Sequence, residues 1–192
     1  QMSLSLCGNL TDHPSGLVAV VLPYSLEALQ TPNETLRMAA VRCLGLLGLS
    51  CENTAPIVWE ILLQVASQMN ESDVTRCWAI QGVADIATAR LSSDFSQDSR
   101  LSGLLMRSME RSDLSPLVSR VAAEATSKLL FSGSLTSSKM ISTLLRVYFF
   151  AEDASEEEGD TSSGYGAAQL GCHARVQQIL GVFFHAYTRA GH

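Results

Sequence analysis

The sequence predicts an all-α protein, an α-solenoid of about four helix pairs. Hydrophobic residues make up 46% of the 192 residues but aromatic residues only 6%, so the apolar content is mostly leucine, alanine, valine and isoleucine. These side chains suit helix-on-helix packing, and they recur at helical spacing with no convincing strand alternation. Five prolines interrupt the pattern, and only 17% of residues are charged. This balance excludes an intrinsically disordered chain, which needs low hydrophobicity and high charge.

Short polar motifs mark the helix boundaries. Thr31-Pro32-Asn33-Glu34 predicts a helix start in which Thr31 is the cap and Glu34 closes a capping box. Glycine favours the left-handed conformation that ends many helices, so Gly133 predicts a stop. The other predicted starts lie at Asn53 or Thr54, Ser72-Asp73, Ser99, Ser115-Pro116, Ser137 and about Leu170.

The apolar spacing also predicts which side chains enter the core. Both tryptophans lie on apolar helical faces and are expected in the core. The inward residues expected of the first four of these helices are Leu36, Ala40, Cys43, Leu44 and Leu47, then Ile57, Ile61, Leu62, Val65 and Met69, then Val74, Trp78, Val83 and Ile86, then Leu101, Leu104, Leu105 and Met109.

Three helices share an arginine followed three residues later by an alanine. The arginines, 39 and 44 residues apart, are Arg37, Arg76 and Arg120, and a degenerate fourth copy contains Arg175. This spacing is close to the period of about 40–47 residues that is typical of HEAT-type repeats. We interpret the three arginines as structural residues whose guanidinium groups satisfy carbonyls or acids between neighbouring repeats. Residues 1–192 are therefore expected to form one piece of a HEAT-type solenoid, taken from a longer protein.

Nothing in the sequence indicates catalysis, a metal or a cofactor. The five cysteines are odd in number and have no CxxC spacing, which favours reduced, buried thiols in an intracellular protein over a disulfide framework. Cys172 and His173 are adjacent, so on a helix they point about 100° apart and do not form a nucleophile–base pair. No histidine has metal-ligand spacing with the cysteines. Neither a membrane span, a signal peptide nor a small-molecule substrate site is expected.

A basic block lies between two acidic ones. Residues 100–146 carry seven basic and three acidic residues, whereas 147–164 carry six acidic residues and no basic one. Helical spacing places Arg100, Arg107 and Arg111 on one stripe, and Lys139 and Arg146 are again seven residues apart. We expect these five residues to be the nucleic-acid contacts, the alternative being an ordinary solvated face.

The acidic block predicts a disordered loop over about residues 151–169, between the helices of the last pair. Its residues from Glu152 to Gly164 contain too little apolar surface to order themselves. Ser155 precedes three glutamates, the pattern of an acidophilic-kinase target, and phosphate would add negative charge. The alternative is an inert insertion.

Four segments, in order, resemble the CAP-G subunit family of condensin. Residues 36–47 resemble that family's "LR…A…RCLGLL" segment, residues 122–133 its "AAEGLAKLMFSG" stretch, and residues 180–184 its "LGVFF" helix. Residues 137–148 follow at the matching distance. Three features depart from the family: His185 stands where it usually has proline, the link between residues 150 and 170 is longer and more acidic, and residues 76–111 match weakly.

The resemblance implies the C-terminal part of a non-catalytic HEAT-repeat subunit. Such a subunit binds the kleisin of condensin, reaches the SMC subunits through it, and binds double-stranded DNA in mitotic chromosome condensation. DNA binding by residues 1–192 alone is expected to be weak or absent. ATP hydrolysis would belong to the SMC subunits. The implied location is the nucleus and mitotic chromosomes, with the cytoplasm in interphase as a further possibility. The alternative function is a HEAT or armadillo adaptor that binds peptide segments in transport or signalling, without DNA.

Overall fold

A computed structural model describes residues 14–90, 95, 98–110, 115–150 and 165–190. This part of the chain contains α-helices joined by turns and no strand, as the sequence predicts. A short 3-10 helix, Glu52–Thr54, precedes the third α-helix. The α-helices are α1 (Pro14–Leu29), α2 (Glu34–Ser50), α3 (Ala55–Ser67), α4 (Asp73–Ala89), α5 (Ser99–Glu110), α6 (Pro116–Phe131), α7 (Ser138–Phe150) and α8 (Tyr165–Arg189).

The chain divides into two compact units, and the boundary lies between Ala89 and Arg90. In the first unit α1 packs on α2, α3 packs on α4, and the second helices of the two pairs, α2 and α4, lie against each other. The second unit repeats this plan, because α5 packs on α6 while α6 contacts α8 and α5 contacts α7. Each unit therefore has the helix-pair packing of an α-solenoid of helical repeats, which confirms the predicted fold class.

Two glycines let α2 and α4 approach closely. A Cβ added to Gly45 would stand 3.5 Å from the Cα of Gly82, and one added to Gly48 would stand 2.5 Å from Cδ1 of Ile86. These pairs are 37 and 38 residues apart in the sequence. Because that separation barely changes along the interface, the two helices run parallel, as equivalent helices of successive repeats do.

Trp59 is buried in the core of the first unit, as expected. Leu44, Leu62 and Ile80 lie on three different helices of this unit and are completely buried. Buried residues from the predicted set are Ala40, Leu44, Leu47, Leu62, Val65, Val83 and Ile86.

Other residues of the predicted set lie outside this core. Ile61 and Trp78 are only half-buried. The exposed ones are Leu36, Cys43, Ile57, Met69 and Val74. Apolar residues surround most of α3, so spacing alone does not fix which side faces inward, and packing selects Val58, Trp59 and Leu63.

The start of α2 differs from the prediction by two residues. Asn33, not Thr31, is the N-cap, and its Oδ1 accepts hydrogen bonds from the amides of Thr35 at 3.0 Å and Leu36 at 3.3 Å. Thr31 instead closes the preceding helix by donating from its hydroxyl to the carbonyl of Ala28. A short polar cluster offers several candidate caps, and the backbone conformation of Asn33 decides among them.

The second unit follows the predicted boundaries closely. Ser99 begins α5, and Ser115 caps α6 by accepting a hydrogen bond from the Leu117 amide. Gly133 has a φ of 73°, the left-handed conformation expected at the end of α6. The core residues predicted for α5 are all buried: Leu101, Leu104, Leu105 and Met109.

The last helix begins earlier than predicted, at Tyr165 rather than about Leu170. Residues 165–169 of the expected 151–169 loop therefore belong to α8. Residues 151–164, with Ser155 among them, lie outside the described part of the chain. The expectation of disorder there stays a prediction.

Candidate nucleic-acid interface

The predicted nucleic-acid contacts lie on α5 and α7, which pack side by side. Arg100 and Arg107 are exposed two turns apart on α5, and Lys139 and Arg146 are exposed on α7. Arg111 lies outside the described residues. Two helices of successive pairs thus present four basic side chains on one unit. We refer to these four residues as the basic face.

An acidic side chain at the start of α5 neutralises one of these arginines. Asp98 accepts hydrogen bonds from the Arg100 guanidinium, with Nη2 to Oδ2 at 2.6 Å and Nε to Oδ1 at 3.1 Å. Its Oδ1 also accepts from the Arg100 amide at 2.8 Å, so Asp98 caps the helix as well. A phosphate at Arg100 would compete with this carboxylate.

A second carboxylate lies between the two helices. Glu110, the last residue of α5, has its Oε1 3.9 Å from Nη1 of Arg146 and 3.5 Å from the hydroxyl of Thr143. Both distances are long for hydrogen bonds, and the Arg146 side chain is 70% exposed. Water screens such a pair strongly, so it leaves Arg146 available to another anion.

Arg107 and Lys139 carry the least compensated charge of the basic face. The Arg107 guanidinium lies over Gly103, with Nη1 3.7 Å from the position that a glycine Cβ would take. Asp98 and Glu110 together offset two of the four positive charges of the basic face. The basic face can contact phosphates, and such contacts do not depend on the base sequence.

The repeat arginine Arg37 connects two turns of the first unit. Its Nη1 donates to the carbonyl of Thr31 at 3.0 Å, in the turn between α1 and α2. Its Nε and Nη2 donate to the carboxylate of Glu71, just before α4, at 3.0–3.1 Å. One guanidinium therefore ties successive helix pairs together, which is the geometry that the repeat pattern suggested.

The partner carboxylate is held in its charged form. Burial raises the pKa of Glu71, but the hydrogen bonds from Arg37 and from the Ser72 amide outweigh it, so that pKa lies below its ordinary value. The same hydrogen bond to Glu71 raises the pKa of Arg37. Spacing did not single out Glu71, although a glutamate directly before the capping serine of a helix is a signal that can be searched for.

The other two repeat arginines differ from Arg37. Arg76 is buried; its Nε lies 3.4 Å from the carbonyl of Ala66 at the end of α3, and its Nη1 lies 3.5 Å from Asp73. It therefore ties the two helices of one pair. Arg120 is half-buried in α6.

Thiols and histidines form no site in the described part of the chain. Cys51 and Cys77 form no disulfide and are buried, as expected, whereas Cys43 forms no disulfide but is exposed, which corrects its predicted inward position. Cys7 and the side chains of Cys172 and His173 lie outside what is described. No group of three or more described His, Cys, Asp or Glu side chains could hold a metal ion. Among these same residues, no helix is both long and apolar enough to span a bilayer.

Comparison with known proteins identifies the family. The family model for the C-terminal domain of nuclear condensing complex subunits matches residues 4–192, nearly the whole chain. The chain belongs to this family. No curated protein matches it, and no solved structure does. The match agrees with the condensin motifs in the sequence and gives the chain a place among condensin subunits.

Proposed function

We propose that this chain is part of a CAP-G-type HEAT-repeat subunit of condensin. In this role it binds the kleisin subunit, reaches the SMC subunits through it, and contacts double-stranded DNA during mitotic chromosome condensation. The match to the condensin family over residues 4–192 carries the proposal. The ordered motifs at residues 36–47, 122–133 and 180–184 support the CAP-G type. The site of action is the nucleus and mitotic chromosomes.

The subunit's contribution is binding rather than chemistry. Helical repeats present extended surfaces on rigid elements, which suits a protein that holds partners in position. The chain needs no cofactor for this, and ATP hydrolysis belongs to the SMC subunits. The basic face supplies the DNA contacts, together with Arg111.

DNA binding by the basic face has a direct test in the complete subunit–kleisin complex. Reversal of Arg100, Arg107 and Arg111 to glutamate should weaken DNA affinity and flatten its salt dependence, by about 0.9 in log–log slope per lost phosphate contact. Arg175 and Arg189 are exposed on α8 of the same unit, so the double reversal R175E/R189E is the matched control. Equal affinity and slope in the triple variant and wild type would place the DNA site elsewhere in the complex.

Kleisin binding is tested by co-expression. The full-length subunit should co-purify with the kleisin of its own species in a stable one-to-one complex. A monodisperse subunit that captures no kleisin would contradict the condensin role and favour the adaptor function.

A further inference from the structure

An arginine and a tryptophan stack on the surface of the first unit. The guanidinium carbon of Arg42, on α2, lies 4.4 Å from the centre of the Trp78 ring, on α4. Arg42 is exposed and Trp78 is half-buried, so the stack remains open to solvent on one side. Stacking on an aromatic ring restrains a guanidinium while leaving its N–H donors free at the edges.

Two aliphatic side chains extend this stack along the helices. Leu46 lies one turn after Arg42 on α2 and is 65% exposed, and Val74 lies one turn before Trp78 on α4 and is 41% exposed. Arg42, Leu46, Val74 and Trp78 form what we term the α2–α4 face. Tryptophan and arginine are the residues most enriched among the energetic anchors of protein interfaces.

Among the described residues of its unit, the charge of this face has no counter-ion. The described residues 14–89 contain three arginines and no lysine. Arg37 pairs with Glu71 and Arg76 with Asp73, but no described carboxylate forms an ion pair with Arg42. The face is therefore apolar with one oriented, uncompensated cation, and its complement is an apolar surface that contains one carboxylate.

We propose that the α2–α4 face docks a short helical peptide segment of a partner, which presents an acidic side chain between two apolar ones. At about 1.5 Å per residue, Leu46 lies about 13 Å along the axis from the position opposite Val74, and Arg42 lies between. A helix placed along this row matches it with apolar residues near positions i and i+8 and a carboxylate near i+4. The inference rests on contacts within the first unit and is independent of the proposed DNA interface.

The same charges argue against two other occupants. Nucleic acid needs several phosphate contacts, whereas the described residues 14–89 carry three basic and seven acidic residues, and two of the basic ones are already paired. A two-fold dimer through this face would bring the Arg42 side chains of both copies to the same surface without a carboxylate between them.

A library of random 16-residue peptides displayed on phage, selected against the 192-residue chain, tests the proposal. Enriched sequences should share an acidic residue flanked by apolar ones at helical spacing. A synthetic peptide made from them should bind Arg42→Glu and Leu46→Asp at least about tenfold more weakly than wild type. Arg189→Glu, at an exposed arginine of the other unit outside the basic face, is the matched control and should bind like wild type.

Charge exchange separates docking from a merely structural role of the stack. A peptide in which lysine replaces the acidic residue should bind the Arg42→Glu variant more tightly than it binds the wild-type chain. Arg42 and Leu46 are exposed, so both variants should keep the wild-type circular dichroism spectrum and unfolding midpoint. The proposal is overturned if no sequences are enriched, if they lack the acidic residue, if Arg42→Glu binds the peptide like wild type, or if sedimentation shows that the face mediates a dimer.

Discussion

The two units use arginine in opposite ways. In the first unit, Arg37 and Arg76 make contacts within the fold. Arg37 bonds to two successive turns, and Arg76 is buried against the end of α3. In the second unit, Arg100, Arg107 and Arg146 are exposed. The ion pair between Glu110 and Arg146, which joins adjacent pairs of helices, is long and solvated. The same repeat plan thus uses two of the three described arginines of the first unit to stabilise the fold, with Arg42 left exposed, and displays the described arginines of α5 and α7 on the second.

The contacts between helices also differ between the two units. Close contact through Gly45, Gly48 and Gly82 brings α2 and α4 together in the first unit. In the second, Leu144 and Leu180 are completely buried, and the rings of Tyr148 and Phe184 meet edge to face at 5.8 Å. Both units have a buried apolar core, but the first adds close helix contacts at glycines, while the two helices of the last pair in the second meet through aliphatic and aromatic side chains.

The largest expected effect comes from adding volume where the helices touch. Gly48→Val should destabilise the chain by about 1–3 kcal/mol, because its side chain would overlap Ile86 and Val58. Gly103→Ala in α5 should stabilise it by about 0.5–1 kcal/mol, since only the end of Arg107 lies nearby and alanine favours helix. Urea unfolding followed by circular dichroism measures both changes. If both substitutions changed the free energy of unfolding in the same direction, the contrast between the units would be contradicted.

Removing an arginine should lower the unfolding midpoint more in the first unit than in the second. Arg37→Ala leaves the Glu71 carboxylate without its main hydrogen-bond donor, so the midpoint of thermal unfolding should fall by several degrees. Arg107→Ala removes an exposed side chain and should leave the midpoint nearly unchanged. Calorimetry of the two variants beside wild type makes the comparison. Similar midpoints for both would mean that the Arg37 contacts contribute little.

Acid should weaken the first unit through Glu71. Its pKa is lower in the folded chain than in the unfolded one, so its stabilising effect is present above the unfolded value and disappears as the pH falls through the folded one. The loss of stability that begins below about pH 4.3, the ordinary glutamate pKa, should therefore be smaller in Glu71→Gln than in wild type. Unfolding midpoints measured from pH 6 to about pH 3 provide the test. Parallel curves for both proteins would contradict it.

The smallest effect concerns the basic face. Asp98→Asn removes the carboxylate that competes for Arg100 but keeps an oxygen for the helix cap. DNA affinity of the subunit–kleisin complex should rise about two- to fivefold at low salt and converge with wild type at high salt. Fluorescence anisotropy with a labelled duplex detects this change. A fall in affinity would indicate that Asp98 orients Arg100 productively.

The sequence predicted best where one side of a helix is clearly polar. The helix α5 has one polar side and one apolar side, and its four expected core residues are all buried. The helix α3 is apolar on most sides, so Ile57 was wrongly placed inward, while Met69 was wrongly placed inward because α3 ends before it, at Ser67. Periodicity fixes a helix phase only when the polar face is well defined.

Contacts between distant residues were harder to foresee than the helices. The repeat pattern pointed to arginines that link repeats, but Glu71 lies 34 residues from Arg37 and no local pattern connects them. A local pairing was missed as well: helical spacing placed Arg100 and Arg107 on one stripe, but it did not reveal that Asp98, two residues before Arg100, binds that arginine. Pairings of this kind depend on side-chain reach in three dimensions, which spacing along one helix does not contain.

The glycine contacts between α2 and α4 also constrain the length of the chain that joins these helices. One residue inserted within α3 would rotate everything after it by about 100° and turn Leu62 or Trp59 away from the core. One inserted in the turn before α4 would move Glu71 out of reach of Arg37, or shift Gly82 away from Gly45. Insertions and deletions among related chains should therefore be rare between residues 45 and 82, and should accumulate instead outside this segment.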